Sequence, residues 1–126
     1  MSDLDPAHYF GVVSGLDLTK YVNEDDANTA PGVLVAEGAP VVFTYQVDNT
    51  GNAELDITNF TDNAGTPLDP TDDWTPTYAS GDLDLDGLLD VNETWLFEHT
   101  GEVAVSGPYA NNASITAEDN LSLIHI

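Results

Sequence analysis

Val41-Val42-Phe43-Thr44-Tyr45-Gln46-Val47 is the stretch on which the fold of this chain turns. Val41, Phe43, Tyr45 and Val47 recur at every second position, and alternate side chains of an extended chain point to the same side. One face is therefore apolar, which predicts a half-buried β-strand. Asp48-Asn49-Thr50-Gly51-Asn52 follows with the residue types that favour a turn, and Leu55 to Phe60 is expected to return as the antiparallel partner. Upstream, Leu16-Asp17-Leu18-Thr19-Lys20-Tyr21-Val22 alternates in the same way and predicts a first strand. Asn23 to Pro31 reads as an acidic loop and Gly32 to Ala36 as a short strand. Downstream, Asp62 to Asp73 is a polar loop with two prolines, and Trp74 to Tyr78, Thr94 to Thr100 and Tyr109 to Ala117 read as further strands. About seven short strands with no helical period predict an all-β chain, an immunoglobulin-like Greek-key β-sandwich.

Among these strands lies Asp82-Leu83-Asp84-Leu85-Asp86-Gly87-Leu88-Leu89-Asp90-Val91-Asn92-Glu93. Its residues match an EF-hand-type calcium loop position by position. Asp82, Asp84 and Asp86 stand at positions 1, 3 and 5, and Gly87 at 6, where the chain turns sharply. Leu88 at 7 offers its backbone carbonyl, Asp90 at 9 binds through water, and Glu93 at 12 is the bidentate ligand. Hard cations such as Ca2+ take several oxygen ligands, and this set is all oxygen. An acidic solvated turn also explains clustered aspartates, but not Gly at 6 with Glu at 12. Leu89 is expected to anchor the loop to a core. Pro76 before the loop and the Trp95-Leu96-Phe97 run after it favour strands over the helices that flank an EF-hand proper. A calcium sensor that opens a helix pair is therefore not expected.

The chain has 126 residues, enough for one domain with a real core. Its 23 acidic residues face a single basic one, Lys20, for a formal net charge of −22. Charge of one sign at this density opposes compaction unless cations or salt neutralise it. Nucleic acid and anionic membrane surfaces are poor partners and are not expected, because phosphate binding needs Lys and Arg. With no cysteine, no disulfide holds the fold. No leader with an apolar core opens the sequence and no run is long enough to insert in a membrane.

Residues 16–118 resemble the conserved-repeat β-sandwich modules found in tandem in large bacterial surface and secreted proteins. The resemblance rests on Leu16 to Lys20, Thr29-Ala30-Pro31-Gly32, Val42 to Asn52, Tyr78 to Trp95 and Tyr109 to Ile115. It implies a secreted or cell-surface location and a spacer or adhesion role without catalysis. The implied partners are neighbouring modules of the parent chain, with a surface glycan or protein as a further one, and the module itself is expected to be a monomer. Residues 1–14 then read as a linker or the end of a preceding module, and 15–120 as the calcium-binding module. Residues 121–126, Leu-Ser-Leu-Ile-His-Ile, resemble a translated sequencing adapter, which implies that the natural chain continues past residue 120.

Other constellations are weaker. His8, His99 and His125 are scattered and no Ser has a nucleophile's setting, so an enzyme is not expected. Glu24-Asp25-Asp26 and the group Asp69, Asp72 and Asp73 concentrate carboxylates without a spacing that fixes geometry. Trp74, Trp95 and the tyrosines suggest a sugar platform, although such rings more often fill a sandwich core or rim. In some surface-protein sandwiches a first-strand Lys bonds covalently to a last-strand Asn or Asp with help from a buried acid. Lys20, with Asn111 or Asn112 and Glu93, Glu98 or Glu102 as helper, raises that alternative. An exposed Lys20 paired with surface carboxylates is the preferred reading, because Lys20 lies on the face opposite Tyr21 and no helper stands out.

Overall fold

The computed structural model describes residues 11–26, 34–65, 70–107, 109, 111–119 and 123–125. In chain order the strands are β1 (Leu16–Val22), β2 (Asp25–Asp26), β3 (Pro40–Asn49), β4 (Asp56–Asp62), β5 (Thr77–Ser80), β6 (Thr94–Val103), β7 (Ala113–Glu118) and β8 (Leu123–His125). A single 3-10 turn spans Pro70–Asp72, and the described residues contain no α-helix. Six of the strands have four residues or more, while β2 and β8 have two and three. All pairings are antiparallel. They make a five-stranded sheet in the order β2-β1-β3-β6-β5 and a three-stranded sheet in the order β4-β7-β8. The all-β expectation holds, with two antiparallel sheets.

Strand β3 behaves as its alternation demands. Val41, Phe43, Tyr45 and Val47 are buried, the last two completely. Opposite them lie Phe60 of β4 and Ile115 and Ala117 of β7, with Trp95 and Phe97 of β6 completing the core. Phe60 links the layers, meeting Tyr45 edge-on at 5.3 Å and Phe97 at 5.0 Å between ring centroids. Such edge-to-face pairs add roughly 0.5–1.5 kcal/mol each to the area they bury.

Strand β1 turns Leu16, Leu18, Lys20 and Val22 inward. Leu16 is buried, and Leu18 and Val22 pack on the core. Lys20 is the cross-strand neighbour of Tyr45, and its side chain is only 14% exposed. The expectation of an exposed Lys20 is therefore corrected. The same two-residue period that buries Leu16 and Leu18 carries Lys20 into the interior.

Several element readings change as well. Leu55 to Phe60 does not pair with β3, because β1 and β6 occupy both edges of that strand. The Asn49 Nδ2 donates to the carbonyls of Ala53 (2.7 Å) and Leu89 (3.0 Å), and the chain crosses to the second sheet, where β4 pairs with β7. Trp74 forms an isolated bridge to Asp62, and the strand expected from it begins at Thr77. β6 runs on to Val103, whereas β7 begins only at Ala113. Just before β7 the Asn112 N–H donates to Asn63 Oδ1 (3.0 Å), and its carbonyl accepts from Asn63 N (2.9 Å). Residues 34–36 form no strand, and the rest of that expected element lies outside the described residues. Leu123–His125, from the segment set apart as an adapter, pairs with β7.

Among the described residues β5 ends the larger sheet, with all four of its residues exposed. Ile115 is completely buried at the centre of β7. Ile115→Ala should therefore cost about 2–5 kcal/mol, the range for truncating a buried aliphatic side chain, in a denaturant titration.

Candidate metal centre

The loop 82–93 joins β5 to β6, and its placement begins at Gly81. Gly81 has φ +124°, and a Cβ there would collide with the Thr94 carbonyl oxygen and lie 2.7 Å from Trp95 Cα. A glycine thus lets the loop start directly against β6. At the far end Leu89 is completely buried and its backbone exchanges two hydrogen bonds with Leu55, of 2.8 and 3.0 Å. The anchoring role expected of Leu89 is present. Between these points Leu85 and Gly87 take positive φ, 58° and 77°.

Inside the loop the carboxylate oxygens of Asp82, Asp84, Asp86 and Glu93 lie within 4.8 Å of one another. Glu93 is buried and held by three donors: its Oε1 accepts from Asp90 N (2.9 Å) and Trp95 Nε1 (3.2 Å), and its Oε2 from Leu83 N (2.8 Å). Asp82 Oδ2 accepts from Gly87 N (2.9 Å), and Asp86 Oδ1 from Leu88 N (3.0 Å). Two oxygens remain buried with no hydrogen-bond partner, Asp82 Oδ1 and Asp90 Oδ1. Burying an acceptor without a donor is unfavourable. A cation among these carboxylates would remove that deficit.

Protonation follows the crowding. Hydrogen bonding to Asp90, then burial, then Asp86 and Asp82, pushes the Asp84 carboxyl up to about 7. For Asp90 the bond with Asp84 acts downward, but burial, the charges of Asp86 and Glu93, and Glu54 outweigh it and leave a net rise. Glu93 is held below the usual carboxylate range, first by the Asp90 N–H and then by Leu83 N–H and the Trp95 indole against the opposing effect of burial. The loop therefore combines a fixed anion with carboxylates that share protons, the combination a divalent ion would displace protons from.

Of the side chains expected from sequence, the fold brings Asp82, Asp84, Asp86 and Glu93 into one group. Asp90 groups with Asp86 and with Glu54. Glu54 was missed: it comes from the turn between β3 and β4, and no spacing within the loop points to it. Leu88 is half-buried at position 7. Among the described residues Glu24, Asp72 and Asp73 form no group suited to a metal, and Asp69 and the side chains of Asp25 and Asp26 lie outside them. His99 stacks on Trp74 at 3.9 Å and pairs with Glu102 at 3.1 Å, while His8 and the side chain of His125 lie outside the described residues.

No family model matches the chain. No curated protein and no solved structure is significantly similar to it. The site is therefore read on its own chemistry. All its side-chain donors are carboxylates, a donor set suited to Ca2+, Mg2+ or Mn2+ rather than to a metal preferring nitrogen or sulfur.

Gly87→Ala should cost about 1–2 kcal/mol, because a Cβ meets open space there and only the left-handed backbone is penalised. Gly81→Ala should cost more in the same denaturant titration, since it adds a backbone collision. Without metal, Asp84 binds its proton more tightly folded than unfolded. Its contribution to stability should be complete below 3.8 and lost as pH rises through about 7. Comparing wild type with Asp84→Asn across that window in chelator checks this: the wild type should lose more stability.

Proposed function

We propose that this chain is a calcium-stabilised structural module, a spacer or adhesion repeat of a long extracellular bacterial protein. The observation that carries the reading is the pair of partnerless buried oxygens, Asp82 Oδ1 and Asp90 Oδ1, in two adjoining carboxylate groups that share Asp86. Asp82, Asp84, Asp86 and Glu93 would hold the ion directly, the Leu88 carbonyl would add a backbone ligand, and Asp90 would act through water. Bound calcium supplies positive charge where like charges crowd. The chain's own part is to fix the loop: Gly81 seats it on β6, Leu89 pins it to Leu55, and Glu93 ties its two ends together.

Strand order β1-β3-β6-β5 against β4-β7 supports an immunoglobulin-like Greek key, in which these would be strands A-B-E-D and C-F, with β2 as an added edge and β8, from the segment that resembles an adapter, in the place of G. This order and the matching stretches quoted above support membership among the conserved-repeat surface modules. No helix among the described residues is long and apolar enough to cross a membrane. Trp95 is buried and Trp74 stacks on His99, so both indoles serve packing, which favours a structural role over a sugar platform.

Metal that binds the folded form alone stabilises it by mass action. Extracellular calcium modules bind with Kd on the order of 0.1–1 mM. Calcium at about a hundred times Kd adds about 2.7 kcal/mol, a rise in Tm on the order of 10 °C for a domain of this size. Melts in calcium, magnesium and chelator, with Asp84→Asn and Glu93→Gln alongside, test this. The expected result is a rise specific to calcium that both variants diminish. Equal melts under all three conditions would leave an acidic turn with no metal role.

A further inference from the structure

Away from the calcium loop, the interior holds a second polar site. Lys20 of β1, Asp62 at the end of β4 and Asn111 just before β7 meet between the sheets. Lys20 Nζ lies 2.5 Å from Asn111 Oδ1, 3.3 Å from the Asn111 carbonyl oxygen and 3.1 Å from Asp62 Oδ2. Asp62 is completely buried. Its Oδ2 also accepts from the Tyr45 hydroxyl (2.6 Å), and its Oδ1 accepts from Ala64 N (3.0 Å). The Trp74 indole donates to Tyr45 Oη at 2.9 Å. An indole N–H only donates, so the Tyr45 hydroxyl proton is left for Asp62. Lys20 Nζ sits 5.7 Å from the Tyr45 ring centroid. Burial lowers the affinity of the Lys20 amine for its proton, with Asp62 opposing.

An exposed lysine needs none of these features, and a simple buried ion pair needs no carboxamide against its amine. Here the amide of Asn111 shares the pocket with both charges. Given a C=O of about 1.23 Å, Nζ lies at most about 3.7 Å from Asn111 Cγ, close to the ~3–3.5 Å of a near-attack arrangement. The bulk phase does not intervene: Asp62 is fully buried and the Lys20 side chain is 14% exposed.

We propose that Lys20 and Asn111 join in an intramolecular isopeptide bond, with Asp62 as the proton-transfer group. Lys20 passes one proton to Asp62 Oδ2, which removes two opposite charges from a low-dielectric pocket. The neutral amine attacks Asn111 Cγ, and the Nζ–Cγ bond forms. Asp62 carries a proton from Nζ to Nδ2 as the Cγ–Nδ2 bond breaks. Ammonia leaves and takes up the remaining proton as ammonium, returning Asp62 to the carboxylate. No oxidant or cofactor enters the balance. Tyr45, fixed by Trp74, is a positioning residue that orients the Asp62 carboxyl. The acid is Asp62, and not any of the glutamates considered from sequence: Glu93 belongs to the metal loop, and Glu98 and Glu102 are exposed.

The whole chain tests this without prior unfolding of any variant. Lys20 is its single Lys or Arg, so a trypsin-like protease has one cleavage point in the denatured protein. The proposal expects an intact mass lower by one ammonia, resistance of the denatured chain to that protease, and a joined peptide containing Lys20 and Asn111 after digestion with another enzyme. Asn111→Ala and Asp62→Asn should each show the full mass expected from sequence and cleave after Lys20. A wild-type protein of full mass that cleaves at Lys20 would overturn the proposal. So would loss of ammonia with Lys20 still cleavable, since that marks cyclisation at some other asparagine. A joined peptide formed equally in Asp62→Asn would overturn the role given to Asp62.

Discussion

With one lysine and no arginine, this chain can make one ion pair to a strongly basic side chain, and it makes it inside the sandwich. Lys20 and Asp62 face each other between the sheets while a formal net charge of −22 stays on the rest of the molecule. Surface carboxylates therefore have no lysine or arginine to neutralise them, and their repulsion must be met by hydrogen bonds, shared protons or ions from solution. Among the described residues the buried charged groups are Asp62 and Glu93, set near opposite ends of the span from Leu55 to the close of β4. Each has a different remedy. Asp62 has a cation, a hydroxyl and a backbone N–H, whereas Glu93 has two backbone N–H groups and an indole. Hydrogen bonds to an ionised carboxylate are roughly twice as strong as neutral ones, which makes the second arrangement workable without a positive partner.

The two buried acids also divide the structure mechanically. Near Glu93 the backbone bonds between Leu55 and Leu89 tie the 82–93 loop to the entry of β4, so the loop is continuous with the second sheet as well as with β5 and β6. Near Asp62 the contacts run from β1 through β4 to the lead-in of β7. The sandwich is thus closed twice by polar chemistry, with the rings of Phe60, Tyr45 and Phe97 packed in the core and the Tyr45 hydroxyl joining the closure at Asp62.

Much of this was legible in the sequence, and the failures are specific. The alternation in β3 named its buried residues, and the spacing of Asp82, Asp84, Asp86, Gly87 and Glu93 named the loop, because both are local patterns set by backbone period and turn geometry. Pairing was less legible. Leu55 to Phe60 looked like a hairpin return, but whether a strand finds a free edge depends on β6, which lies more than thirty residues downstream. Lys20 was within reach, since it shares the parity of Leu16, Leu18 and Val22. Taking the face of Tyr21 as the inner one turns Lys20 outward, whereas the apolar parity carries it in, and a long side chain can bury its stem and meet a partner inside. Asp62 and Glu54 were not legible, because each acts with residues that only the tertiary fold brings near.

The edge at β5 has a consequence for how copies of this molecule meet. Among the described residues no strand pairs with its outer side, Thr77 to Ser80 are all exposed, and an unpaired strand edge is a template for pairing with another chain. Proteins often guard such an edge with lysine, a bulge or a covering loop; β5 has a register shift between Tyr78 and Ser80, and the one lysine lies inside the sandwich. A further guard is collective: every copy approaches every other with the same large negative charge. That barrier is colloidal rather than steric, and it reaches only about 8 Å at physiological ionic strength. The acidity that burdens folding is therefore also what keeps the open edge from recruiting a neighbour, and salt or acid that eases the first weakens the second.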